Sequence, residues 1–262
     1  MVYTASLIFY GVKRIYFLYV TLPIIIAKTT MQNYLIIGAS SGIGKELARQ
    51  LAESGKQVIA TFNKNNPTTE NPNIRFHQLN VLEDSISLDF LPDELAGFIY
   101  CPGSINLRPF ERIKPADFES DYKLQVIGAI KLLQIVLPLL KKSANASVVL
   151  FSTVAVQTGL PFHTQVSASK GALEGLTRAL AAEYAPNIRV NCIAPSLTDT
   201  PLAAFLLNNE QKKETNALRH PLKRIGTTFD IANMAAFLLS EKASWITGQI
   251  LHVDGGMASL KS

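Results

Sequence analysis

Cysteine is scarce in this chain, with two in 262 residues. Both Cys101 and Cys192 lie inside apolar runs that read as buried strands, which argues against a disulfide framework and for reduced thiols in the cytoplasm. Runs of like charge are missing too. The 25 Lys and Arg and the 20 Asp and Glu are scattered, so the formal charge of +5 supports no nucleic-acid partner, although it suits a phosphate-bearing ligand. No internal repeat, low-complexity tract or linker divides the chain, and no metal site is read from it. At 48% hydrophobic and 17% charged, the sequence is too apolar for disorder and long enough for one sizeable α/β domain.

A hydrophobic run long enough to span a bilayer is also lacking at the N-terminus. Residues 15–27 are apolar and bracketed by Lys13, Arg14 and Lys28, but a spanning helix needs ~20 such residues. Ile25 and Ala27 make a poor small-x-small cleavage site for a signal peptide. Stable membrane insertion is therefore not expected. Residues 1–30 are taken as an N-terminal extension (disordered, a mis-assigned start or a weak anchor), with the domain itself, 31–262, opening at Met31.

From Met31 onward, short β-branched runs alternate with helical stretches, the pattern of βαβ units and a parallel sheet. Strands are predicted at 34–37, 58–62, 74–79, 97–101, 147–151, 188–193 and 250–253. Helices are predicted at 45–53, 118–141, 167–184 and 230–239, while 82–95 is short for a crossover helix. The expected fold is a doubly wound, Rossmann-type three-layer α/β/α domain.

After the first strand comes Gly38-Ala39-Ser40-Ser41-Gly42-Ile43-Gly44, followed by a helical stretch. Glycines here allow a tight turn and bring backbone N–H groups towards a pyrophosphate at a helix N-terminus, where the helix dipole favours negative charge. The spacing is Gly-x-x-x-Gly-x-Gly.

Further motifs follow in order. Asn80-Val81 follows the third strand, and Cys101-Pro102-Gly103 stands at the end of the fourth. Ser167-Ala168-Ser169-Lys170 opens a long helix. Arg189-Val190-Asn191 leads to Pro195-Ser196-Leu197-Thr198-Asp199-Thr200, and Val253-Asp254-Gly255-Gly256 closes the set. Across residues 31–258 this ordered set resembles the short-chain dehydrogenase/reductase family. The family's usual residues are Asp-Val at 80–81, Asn-Ala-Gly at 101–103, Pro-Gly at 195–196 and a Tyr-x-x-x-Lys signature ending at Lys170. Val166 stands in the tyrosine's place.

The resemblance implies a nicotinamide cofactor held by Gly38, Ser40, Ser41, Gly42, Ile43, Gly44, Asn80, Val81, Pro102, Gly103, Lys170, Pro195, Thr198 and Thr200. An NAD enzyme places an acid at the end of the second strand. Here the residues are Thr61-Phe62-Asn63-Lys64, with Lys64 and Ser40 or Ser41 able to meet a 2′-phosphate, so NADP(H) is preferred and NAD(H) is the alternative.

In the family a tyrosine gives the proton, a lysine lowers its pKa and holds the ribose, a serine polarises the substrate oxygen and an asparagine holds a relay water. By position Lys170 is the lysine, Thr153, with Ser152 beside it, replaces the serine, and Gln125 replaces the asparagine. Val166 carries no proton. His163, Lys170, Tyr100 or water are the candidate substitutes, His163 being one turn before Val166 and imidazole being the usual side chain for proton transfer near neutral pH. Two readings stand: an NADP(H)-dependent oxidoreductase acting on a small-molecule carbonyl, alcohol or enone, and a catalytically impaired nucleotide-binding sensor or partner subunit. Assembly as a homodimer or homotetramer through helices 118–141 and 167–184 is expected with either. Residues 201–221 are predicted to form a lid whose apolar start suits a non-polar substrate body.

Overall fold

The computed structural model describes residues 31–260, and the expectations for residues 1–30 lie outside the described residues. Seven parallel strands form one sheet: β1 (Asn33–Ile37), β2 (Gln57–Phe62), β3 (Ile74–Gln78), β4 (Gly97–Tyr100), β5 (Ala146–Phe151), β6 (Ile188–Pro195) and β7 (Ile250–Val253). Their order is β3-β2-β1-β4-β5-β6-β7. The chain winds outward from β1 to β3, then restarts on the other side of β1 with β4. Between β1 and β4 the winding reverses, and the crevice beyond the carboxyl ends of the strands at such a point is where ligands bind in this architecture.

All six residues of β5 are buried, as a strand covered on both faces requires. One face is covered by α1 (Gly42–Glu53) and α7 (Thr228–Leu239), whose Leu47, Leu51, Ile231 and Leu238 share a hydrophobic cluster with β1 and β2. In α1 the buried Gly44, Leu47, Ala48, Leu51 and Ala52 recur at helical spacing. The other face is covered by α3 (Gly128–Leu140), through Leu132, Val136 and Leu140, and by α5 (Thr164–Tyr184), through Leu173 and Ala181. The short α4 (Ala155–Thr158) precedes α5, and α6 (Glu210–Leu218) follows β6. This is the expected doubly wound three-layer domain.

Several bounds differ from expectation for identifiable reasons. The helix predicted at 118–141 starts three residues earlier, as α2 (Pro115–Tyr122), and passes through a π-turn, Lys123–Ile127, before α3. At that turn the Tyr100 hydroxyl donates to the Leu124 carbonyl at 2.5 Å, and a side chain on Gly128 would collide with the same hydroxyl. A tertiary hydrogen bond thus occupies a carbonyl of the helix, one of the known causes of local rewinding. The predicted third and fourth strands each end one residue early, and the sixth runs on to Pro195. No helix was predicted over α6, which buries none of its side chains and so has no apolar period to read.

Candidate active site

A cavity of about 590 Å3 opens at the carboxyl ends of the strands, and its wall includes Gly38, Asn80, Gly103, Thr153, Lys170 and Thr198. That volume is in the range of a small-molecule or cofactor site. Of the residues singled out from the sequence as cofactor-binding or as proton donors, Lys64 and Tyr100 are not part of the wall; Lys64 is exposed on the loop after β2 and Tyr100 is buried at the end of β4.

At the β1–β2 end the wall is largely backbone. Gly42 adopts φ +59°, which disfavours any side chain, and a Cβ on Gly44 would run into the carbonyl oxygen of Gly38. The turn is pinned to β2 by Gly38 N–H donating to Thr61 Oγ1 at 3.1 Å and Ala39 N–H to Thr61 O at 2.8 Å. Ser41 caps α1 without a side-chain hydrogen bond, so its hydroxyl leaves the first N–H groups of the helix free for an anion. Ser40 and Ile43 complete this loop. Phe62 and Asn63 end β2 beside it, while the Asn80 carboxamide accepts from Leu82 N–H at 3.2 Å, with Val81 buried behind it. Thr200 lies against the loop, its Cγ2 3.6 Å from a Cβ built on Gly42. A dinucleotide fits this cradle: an added side chain would fill it, and its free donors suit a pyrophosphate.

At the β4–β6 end the wall is made of side chains. Val166 and Lys170 are one turn apart on α5, both buried and both facing the cavity. Burial pushes the Lys170 ammonium down to about 8. The Ser152 hydroxyl donates to Glu174 Oε1 at 2.6 Å, whereas Thr153 Oγ1 accepts from Ala155 N–H at 3.3 Å and keeps its own proton free. Thr153 is therefore the hydroxyl available to a ligand. His163 caps α5, is half-buried in the wall, and has Nδ1 2.7 Å from Pro161 O, which leaves Nε2 unengaged. Gln125 is fully buried on the π-turn, with Nε2 tied to Asp121 and Oε1 unpaired. Pro102 and Gly103 follow β4, and a Cβ on Gly103 would stand 3.3 Å from Gln125 Oε1 and 3.7 Å from Lys170 Nζ. Pro195 ends β6 beside this group, accepting from Val154 N–H at 3.1 Å, and Thr198 donates to Ser196 O at 2.9 Å.

Residues 38–258 match the family model described as Enoyl-(Acyl carrier protein) reductase. The chain is 32% identical over 239 residues to the 3-oxoacyl-(acyl-carrier-protein) reductase FabG of Aquifex aeolicus, a match that covers 85% of this chain and 96% of that protein. It is 31% identical over 244 residues to an L-xylulose reductase of Caenorhabditis elegans, covering 88% and 97%. The chain belongs to the short-chain dehydrogenase/reductase family. Short-chain dehydrogenases/reductases are NAD(P)-using oxidoreductases of small molecules. Among solved structures, ElxO with NADP bound superposes with a TM-score of 0.78 at 26% identity, covering 88% of this chain and all of that one.

Two features of this short-chain dehydrogenase/reductase escaped the sequence. Ser196 Oγ lies 2.8 Å from His220 Nε2, and His220 Nδ1 lies 2.9 Å from Asn216 O. The carbonyl takes the Nδ1 proton, so Nε2 accepts from the serine. Their separation of 24 residues hides the pair; the readable signal was a serine where the family has the glycine of Pro-Gly. The second is Asp121, one helical turn before Gln125 and the one buried residue of α2.

Proposed function

We propose that this chain is an NADP(H)-dependent carbonyl or enone reductase in which Lys170, rather than a tyrosine, gives the proton, and that residues 31–262 are the catalytic unit. The observation that carries this reading is the buried Lys170 beside Val166: burial brings its ammonium down to about 8, so it is a competent acid near neutrality. Held in the cradle, NADPH would supply the hydride that reduces the substrate, to the carbonyl carbon of a ketone or the β-carbon of an enone. The substrate oxygen takes its proton from Lys170 across the space left by the short Val166 side chain. Thr153 donates its free hydroxyl proton to the same oxygen and disperses the charge that builds there. The resulting neutral amine regains a proton from water in the cavity. The glycine loop, Asn80 and the turn after β2 hold the rest of the cofactor, and the bound cofactor of ElxO supports the choice of NADP(H) over NAD(H).

The competing reading, a nucleotide-binding partner subunit without turnover, is favoured by the loss of the tyrosine itself. A panel of carbonyls and enones with NADPH separates the two. Turnover by the unaltered chain that survives His163→Ala is the expected result. Cofactor binding without turnover, with activity appearing only in Val166→Tyr, would overturn the proposal in favour of the partner subunit.

A further inference from the structure

Asp121 is 4% exposed, on α2 beneath the reacting end of the cavity. Ser104 Oγ donates to its Oδ1, Ser169 Oγ donates to its Oδ2 at 2.6 Å, and Gln125 Nε2 donates to both oxygens at 2.8 Å. Both oxygens accept, the pattern of an ionised carboxylate. None of the ion pairs among the described residues includes it. Burying a charge this way costs free energy that neutral donors offset only in part, and an apolar residue would pack there at no such cost.

What faces it explains the charge. Ser169, which holds one oxygen, immediately precedes Lys170 on α5. Gln125 passes the constraint on: with its Nε2 shared between the carboxylate oxygens, its amide can sit in only one orientation, which leaves Oε1 on the far side, buried and unpaired. A methyl built on Gly103 would come within 3.3 Å of that oxygen and 3.7 Å of Lys170 Nζ. Acceptor and ammonium thus open onto the same small space. Besides burial, three titratable groups act on Lys170: Cys192 on β6, then Asp121 from α2 and Cys101 after β4. Burial pushes both thiols up to about 12, so neither is charged where a lysine titrates. Asp121 is the anion that remains.

We propose that Asp121 is a positioning residue for Lys170: its carboxylate sustains the ammonium form in a site that burial disfavours, and it fixes Gln125 so that Oε1 faces that ammonium. This rests on the reading of Lys170 as the proton donor. Asp121 touches neither the cofactor cradle nor the reacting atoms and works through its two neighbours.

Competitive acetylation of the cofactor-free protein across pH, with the modification of Lys170 read by mass spectrometry, tests this without any substrate. In Asp121→Asn the midpoint for Lys170 is expected to fall by about one pH unit or more, as removal of a close opposite charge requires. Asp121→Ser is read in the same way should the amide variant not fold. Turnover at pH 8 is expected to fall about fivefold, the loss of ammonium that such a shift brings, with the NADPH dissociation constant unchanged. An unmoved midpoint would overturn the proposal, and so would loss of folding in both variants, which would assign Asp121 to stability alone. Absence of turnover in every variant, the unaltered chain included, would instead strike the reductase reading and leave the titration result standing.

Discussion

At the β1–β2 end of the cavity the wall is glycine, free N–H groups and a turn pinned to the neighbouring strand. At the β4–β6 end it is Gln125, Thr153, Val166, Lys170 and the Ser196–His220 pair. The first end keeps its family's glycine pattern, because backbone that touches phosphate tolerates no added side chain. On the proposed reading, the second departs from the family's pattern at several positions while keeping polar groups at some of them. Thr153 and Gln125 keep a hydroxyl and an amide, and Asp121 and His220 bring further polar groups to the same region. On that reading, binding rests on backbone shape and chemistry on side-chain supply, so the two ends answer to different constraints.

Breaking the reacting end is expected to have the largest effect. Lys170→Met should lower turnover by about 10²–10⁴-fold, the usual worth of a positioned acid, and steady-state rates on whichever substrate the panel identifies measure it. Breaking the binding end comes next. Gly44→Ala places a methyl against the Gly38 carbonyl, and overpacking of this kind costs about 1–3 kcal/mol; the thermal stabilisation given by NADPH should shrink or vanish while the unliganded protein still folds. Between the two ends, Tyr100→Phe leaves the Leu124 carbonyl of the π-turn without its buried donor. A stability loss of about 1–3 kcal/mol in urea denaturation is expected, together with a weakening of turnover greater than that of cofactor binding, since Gln125 lies on that turn. The smallest effect belongs to Lys64→Ala: an exposed charge is worth less than about 1 kcal/mol, so the preference for NADPH over NADH should drop only a few-fold in competition binding.

The same contrast decides what was legible in the sequence. Strands β1, β2 and β5 are nearly continuous apolar runs, and the glycine loop is contiguous, so both could be read from neighbours in the chain. The π-turn could not, because its cause is Tyr100, 24 residues before Leu124. The Ser196–His220 pair was hidden for the same reason. Asp121 was nearer to view. It lies at i−4 from Gln125, within reach along one helix, but α2 also carries Asp117 and Glu119, so its burial and its partners Ser104 and Ser169 needed the fold. Lys64 was read from its place after β2, where the expectation of a base took no account of where the loop would carry it. Helix α6 was missed because a helix with no buried face leaves no periodic trace.

The pH dependence of NADPH-linked turnover tests the central claim most directly. With Lys170 as the acid, the rate holds while the ammonium is protonated and declines as pH rises through about 8. A rate that stays flat through that range, or a decline that His163→Ala abolishes, would contradict it.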